Sequence, residues 1–218
     1  MEILTLTKSM FNINNRYPVI HKLSDDADIF IFDDFLTEPD EYKDLLDRLP
    51  AFNSDFFYKT ASPGWRQIIP YEFYFHIEAL MSNFTQYETW VEQAFTNIYL
   101  SKMSCKSKCW LPHYDDKEYA FNLWLCDGVG GTAFYNWKNI FNNINQIPDN
   151  LKSKILSHST GEYQYEEFYG DDNWVQYHLE PIKYNRAIFY SGYNFHAAQI
   201  PYNSFIHEPR YSLILMGG

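Results

Sequence analysis

The sequence predicts a mainly β protein with flanking helices, and three observations carry that expectation. Aromatic residues make up 20% of the chain, with 19 Tyr and 18 Phe among 218 residues, and such side chains favour pleated, half-buried surfaces. From about residue 98 onward, short strand-like runs alternate with turn signals, at 98–103, 110–114, 119–125, 132–137, 174–180, 187–191, 196–200 and 211–216. Regularly spaced short strands of this kind indicate a sandwich or barrel, and about eight of them suit a double-sheet jelly roll. The length fits one domain with a sizeable core. The expected organisation is an N-terminal region, 1–97, of a strand and helices packing on a jelly-roll core, 98–218, with a helical and loop insertion at about 137–173.

The elements follow in order. Residues 1–28 are weakly patterned and read as an irregular lead-in or an edge element. Ile29-Phe30-Ile31-Phe32 is a short buried strand bounded by Asp28 and Asp33-Asp34. Thr37-Glu38-Pro39-Asp40 opens a helix: Thr37 can cap, Pro39 suits the first turn, and the acids suit its positive end. Tyr42, Leu45, Leu46 and Leu49 give that helix an apolar stripe, and Pro50 ends it. Ala61-Ser62-Pro63-Gly64 marks a turn. A second helix is expected from about Ile77 to Ala94, through Leu80, Met81, Phe84, Trp90 and Val91. Within the β region, 137–161 carries Asn- and Lys-rich helical text, and 161–173 (GEYQYEEFYGDDN) reads as an acidic surface loop.

The net charge of -11 argues against non-specific binding to duplex nucleic acid, which needs a basic footprint. Cys105, Cys109 and Cys126 are an odd set, read as reduced thiols, and no second pair completes a zinc knot. The N-terminal MEILTLTKSM lacks the layout of a signal peptide, and no run of about 18 apolar residues predicts a membrane span. A cytoplasmic location is the expectation.

Chemistry centres on Pro112-His113-Tyr114-Asp115 and the later Phe195-His196-Ala197-Ala198. In an extended strand, residues i and i+2 share a face, so His113 and Asp115 project together. With a distant His196 they supply the 2-His-1-carboxylate set that leaves open positions on a divalent metal and is typical of non-heme Fe(II) oxygenases. His21, His76, His158, His178 and His207 are read as ordinary hydrogen-bonded histidines. Gly130-Gly131 is a tight turn, since no helix with phosphate-loop spacing follows it. Tyr163, Tyr165, Phe168, Tyr169 and Trp174 could line a lid, although aromatic residues more often serve the core.

The order of blocks is what gives His113-x-Asp115 its weight. Ala120-Phe121-Asn122-Leu123-Trp124-Leu125 is followed by the Gly-rich Asp127-Gly128-Val129-Gly130-Gly131 turn, then by Asn185-Arg186-Ala187-Ile188-Phe189-Tyr190, His196 and Pro209-Arg210-Tyr211-Ser212-Leu213. This succession resembles the iron(II)/2-oxoglutarate-dependent oxygenase superfamily, in particular its prolyl-hydroxylase-like branch, over residues 98–216. The resemblance implies a double-stranded β-helix core and an enzyme using Fe(II), 2-oxoglutarate and O2. His113, Asp115 and His196 would be the metal ligands. Arg210 would anchor the far carboxylate of 2-oxoglutarate, Ser212 would add a hydroxyl, and Asn122 and Trp124 would touch the cosubstrate. An Arg fork meets a carboxylate bidentately, and Arg186 is the competing cation.

The implied reaction is hydroxylation of a C–H bond of a small molecule or peptide side chain, with release of succinate and CO2. Relatives that halogenate lack the acid that Asp115 supplies here. Two further classes stay open: a non-catalytic jelly-roll binding module, and a cupin-type metalloenzyme that does not use 2-oxoglutarate. Neither substrate nor oligomeric state is written in the sequence.

Overall fold

The computed structural model describes residues 12–14, 17–24, 27–48, 52–53, 65–68, 71–85, 91–99, 112–138, 140–152, 170–201, 204–205 and 207–218. The chain is mainly β, and among the described residues every strand pairing is antiparallel. Eleven strands are described: β1 (Val19–Ser24), β2 (Ala27–Phe32), β3 (Phe52–Asn53), β4 (Trp65–Ile68), β5 (Val91–Tyr99), β6 (Tyr119–Trp124), β7 (Gly131–Trp137), β8 (Trp174–Pro181), β9 (Arg186–Ser191), β10 (His196–Gln199) and β11 (Arg210–Gly217). They form a large sheet in the order β1-β2-β9-β6-β11-β5-β4-β3 and a small one in the order β10-β7-β8. An isolated bridge between His113 and His196 adds the 112–115 segment beside β10.

Alternation sorts the large sheet into two faces. Leu213 and Leu215 on β11, Phe121 and Leu123 on β6 and Phe189 on β9 turn outward into one core cluster. That cluster is covered by helix α1 (Pro39–Arg48) through Tyr42, Leu45 and Leu46, and by helix α2 (Tyr71–Thr85) through Ile77 and Met81. A ten-residue helix is marginal by itself. Burying those three side chains, at about 1.5–3 kcal/mol each, is what holds α1 in place. The opposite face of the large sheet meets the small sheet through Ile29, Ile31, Ala120, Trp124, Ile188 and Tyr190 against Phe134.

Pro39 opens α1 as its first-turn position predicts, and Asp40 and Glu41 lie at its positive end. Thr37 does something else. Its N–H and hydroxyl both donate to the Asn12 carbonyl, so it ties down the N-terminal chain instead of the helix. The second helix also differs from expectation: α2 spans Tyr71–Thr85, and Val91–Tyr99 is strand β5. The β-branched and aromatic residues Val91, Phe95, Thr96, Ile98 and Tyr99 suit a strand. β5 finds a continuous partner in β11, from Arg210↔Tyr99 to Gly217↔Val91. The 1–28 lead-in contributes β1, an outer strand of the large sheet.

In the insertion, the described helical text reduces to a short 3-10 turn, Ile144–Gln146, capped by Asn143, and to a helical stretch at 149–152. Leu49, Pro50, the 61–64 turn, Phe84's side chain, Trp90, Trp110, Cys105, Cys109, His158 and the lid aromatics Tyr163, Tyr165, Phe168 and Tyr169 lie outside the described residues or side chains. Among the described residues, no helix is long and apolar enough to cross a membrane.

Candidate metal centre

His113 and His196 exchange both backbone hydrogen bonds, N–H to O at 2.9 and 2.8 Å. They form a directly opposed pair whose imidazoles stand side by side, ring centroids 4.6 Å apart. Two residues on, the Asp115 N–H donates to the Gly192 carbonyl at 2.8 Å, which holds the Asp115 backbone against the turn that precedes β10. Nε2 of His196 lies 3.3 Å from Asp115 Oδ2, and Nε2 of His113 lies 4.0 Å from Oδ1. All three ligand atoms fall within 4.8 Å of one another. Donors held ~2.1 Å from one ion at right angles would stand about 3 Å apart, so the set fits a single divalent metal.

The surroundings fix these groups. Nδ1 of His196 donates to the Asn194 carbonyl at 2.9 Å, which aims Nε2 at Asp115; a partner on the far nitrogen of this kind orients metal-ligating histidines generally. Asn194 is itself pinned by the start of the insertion, its Oδ1 accepting from Asn143 Nδ2 at 3.0 Å. Gly192 is required by close approach: a Cβ there would run into the Lys117 carbonyl and stand 3.2 Å from the Asp115 Cβ.

The charges are coupled. Burial pushes the Asp115 carboxyl up, but the charge and hydrogen bond of His196, with His113 behind them, overcome it and hold the carboxyl below its usual range. Burial likewise pulls His196 down, but Asp115 and the Asn194 carbonyl raise it.

The other predicted residues occupy the inner face of the large sheet. Ser212 stands opposite Trp124, and Asn122 opposite Ile214. Arg210, two residues before Ser212 on β11, is buried. Ser212 Oγ and Trp124 Nε1 are buried and make no hydrogen bond among the described residues. Arg186 has a different task. Its Nε and Nη2 grip both oxygens of Asp33, at 2.6 and 3.0 Å, and its Nη1 holds Glu180 at 2.7 Å.

Tyr190 is a residue that motif reading overlooked. Its ring lies 5.0 Å from that of His196, and its hydroxyl accepts from Asn122 Nδ2 at 3.2 Å. Burial, then the Asp115 charge, push its hydroxyl well above the ordinary tyrosine range, while Asn122 and Arg210 act the other way. Tyr190 therefore feels both the metal-ligand cluster and the Arg210 end. The signal was its i+2 spacing from Ile188 on an inward strand face, six residues before His196.

The family of unknown function DUF6445 matches residues 14–210. The chain belongs to that family. The DUF6445 match takes in all three members of the cluster, together with Asn122, Trp124, Arg186 and Tyr190, and ends on Arg210. No curated protein matches the chain.

A second grouping also emerges. His178 and Glu180 repeat the His-x-carboxylate spacing on β8, and with His21 of β1 they bring three ligand atoms within 4.8 Å of one another. The spacing of His178-x-Glu180 was the available signal, but its third member comes from a segment with no recognisable motif.

Proposed function

We propose that this chain is an Fe(II)- and 2-oxoglutarate-dependent oxygenase with a double-stranded β-helix core. The observation that carries the reading is the convergence of His113, Asp115 and His196 on one point inside a β scaffold whose other sheet carries a buried Arg and Ser on β11. The strand order supports the fold: β6, β9 and β11 belong to the large sheet and β7, β8 and β10 to the small one, so the chain passes repeatedly between the two.

His113, Asp115 and His196 would hold the metal. With Fe(II) and 2-oxoglutarate bound there, the centre supplies oxidation of a C–H bond by O2, with succinate and CO2 released. The protein's own part is positioning and exclusion of water. The Asn194 carbonyl accepts from His196 Nδ1 and so directs Nε2 inward. Asp115, held ionised, occupies the ligand position that halogenating enzymes leave open, which favours hydroxylation. Arg210 would receive the far carboxylate of the keto acid, and the Ser212 hydroxyl, buried without a partner, would complete that carboxylate's hydrogen bonds. Arg186, the competing cation, is taken up by Asp33 and Glu180, and Arg210 shares a strand with Ser212 at the i+2 spacing that puts both on one face. The Tyr190 hydroxyl stays protonated and already accepts from Asn122, so its hydrogen is there to be donated to a polar atom of a bound ligand. Phe134 and Tyr190, which stand against the His196 ring, belong with Trp124 to one packed apolar cluster, and such low-polarity surroundings strengthen polar contacts beside them. The substrate is a small molecule or a peptide side chain.

The test is anaerobic titration of metal-free protein with Fe(II) and 2-oxoglutarate. The expected result is a weak visible absorption band that appears only with both, disappears in His113→Ala and weakens in Arg210→Ala, followed by succinate release in air. Metal binding without the band would point to a cupin-type enzyme, and no binding at all to a non-catalytic module.

A further inference from the structure

We propose that His21, His178 and Glu180 form a second divalent-cation site, distinct from the His113 cluster and suited to zinc. Their ligand atoms lie within 4.8 Å of one another, as close a grouping as at the first centre. Glu180 is 2% exposed, and its two oxygens are divided between tasks: Oε1 takes Nη1 of Arg186 at 2.7 Å, and Oε2 stands 3.3 Å from Nε2 of His178. Because Arg186 is also locked to Asp33 by two hydrogen bonds, the Glu180 carboxylate is held in a fixed orientation, the outer-shell support that metal-ligating carboxylates require.

His178 and Glu180 share the inward face of β8, paired with Phe134 and Thr132 of β7. His21 reaches them from β1, where it pairs with the fully buried Ile29. Beside them opens a cavity of about 430 Å³ lined by Ile20, His21, Lys22, Leu23, Tyr177 and His178. It provides an entry path and room for a bound water. The ring of Phe134 stands 6.0 Å from that of His178 and 6.5 Å from that of His196, so it separates the two clusters.

The ligand set admits zinc, as it admits iron at the first centre, and disfavours hard cations. Two imidazole nitrogens and one carboxylate oxygen, with a fourth position open to water, are a zinc set. Calcium and magnesium prefer six or more oxygens. The position decides the role. β1 is one of the two outer strands of the large sheet and β8 one of the two of the small sheet, so an ion bonded to both fastens the two sheets together at that edge.

The site can be tested on the full chain stripped of metal by chelation and titrated with Zn(II), then with Co(II) as a spectroscopic probe. Wild type should take up two equivalents. Asp115→Ala/His196→Ala should keep one, with the Co(II) spectrum of a four-coordinate site and a Zn(II)-dependent rise in melting temperature. Adding His21→Ala should lower that remaining affinity at least tenfold and remove the rise. If the Asp115→Ala/His196→Ala variant does not fold, His21→Ala in wild type gives the same answer, two equivalents falling to one, because His21 is an exposed residue on an outer strand. A folded Asp115→Ala/His196→Ala protein that binds no Zn(II), or binding equally tight with and without His21, would overturn the proposal. The loss of one equivalent on removing His21 is independent of the oxygenase reading, which concerns the other cluster; only the total taken up by wild type depends on that cluster.

Discussion

His113-x-Asp115 and His178-x-Glu180 obey the same strand arithmetic and end in different surroundings. The first pair is joined by a histidine whose backbone exchanges both hydrogen bonds with that of His113, so the cluster is built on a β-bridge. The second is joined by a histidine from the other sheet and supported by a salt-bridged Arg. Side-chain spacing delivers two ligands cheaply in sequence terms. What makes a centre rigid is where the third ligand comes from and what grips it.

The sharpest break between the two is His196→Ala. It should reduce Fe(II) affinity by more than the roughly 100-fold that loss of an outer-shell partner can cost, abolish succinate release, and leave the His21 cluster's Zn(II) binding intact in equilibrium dialysis. Next is Arg210→Met. Removing a charged hydrogen-bonding partner worth about 1.5–3 kcal/mol should raise KM for 2-oxoglutarate roughly ten- to hundredfold, with Fe(II) binding unchanged. Gly192→Ala should act on the first centre alone. The new methyl group must displace the Lys117 carbonyl or the Asp115 Cβ, at a cost of about 1–3 kcal/mol readable in urea denaturation, with weakened Fe(II) binding.

The smallest effect belongs to Asp33→Asn, on the support of the second cluster. Hydrogen bonds from Arg186, opposed by burial and joined by Lys183, lower the Asp33 carboxyl from 3.8 to about 2. A depressed carboxyl contributes stability above its unfolded value and loses it as pH falls through the folded one. The urea midpoints of wild type and Asp33→Asn should therefore differ most at pH 5 and converge between pH 3.8 and about 2. Since the Asp33 side chain is 39% exposed, solvent screening keeps the difference below about 1 kcal/mol.

The mainly β architecture was legible because strands announce themselves locally: 119–125, 132–137, 174–180, 187–191, 196–200 and 211–216 each fall within a residue or two of β6 to β11. Alternation alone also put Asn122 with Trp124 and Arg210 with Ser212 on common faces. It could not reveal that Val91–Tyr99 abandons the helical pattern for β11, because that preference is decided by a partner strand far along the chain. Nor could it reveal the grip of Arg186 on Asp33, or His21 meeting His178, since these pairs share no local pattern. Long-range register, not residue chemistry, was the missing information.

The bridge between His113 and His196 also has a temporal consequence. The chain between these residues carries β6, β7, β8 and β9, so closing the bridge means closing a loop that spans both sheets. Contacts between residues so distant in sequence form slowly unless intervening structure has shortened the path. A refolding chain would thus regain its β-sheet circular dichroism before it regains the ability to bind a metal at His113, and the delay between the two signals would time the moment when the sheets close over the site.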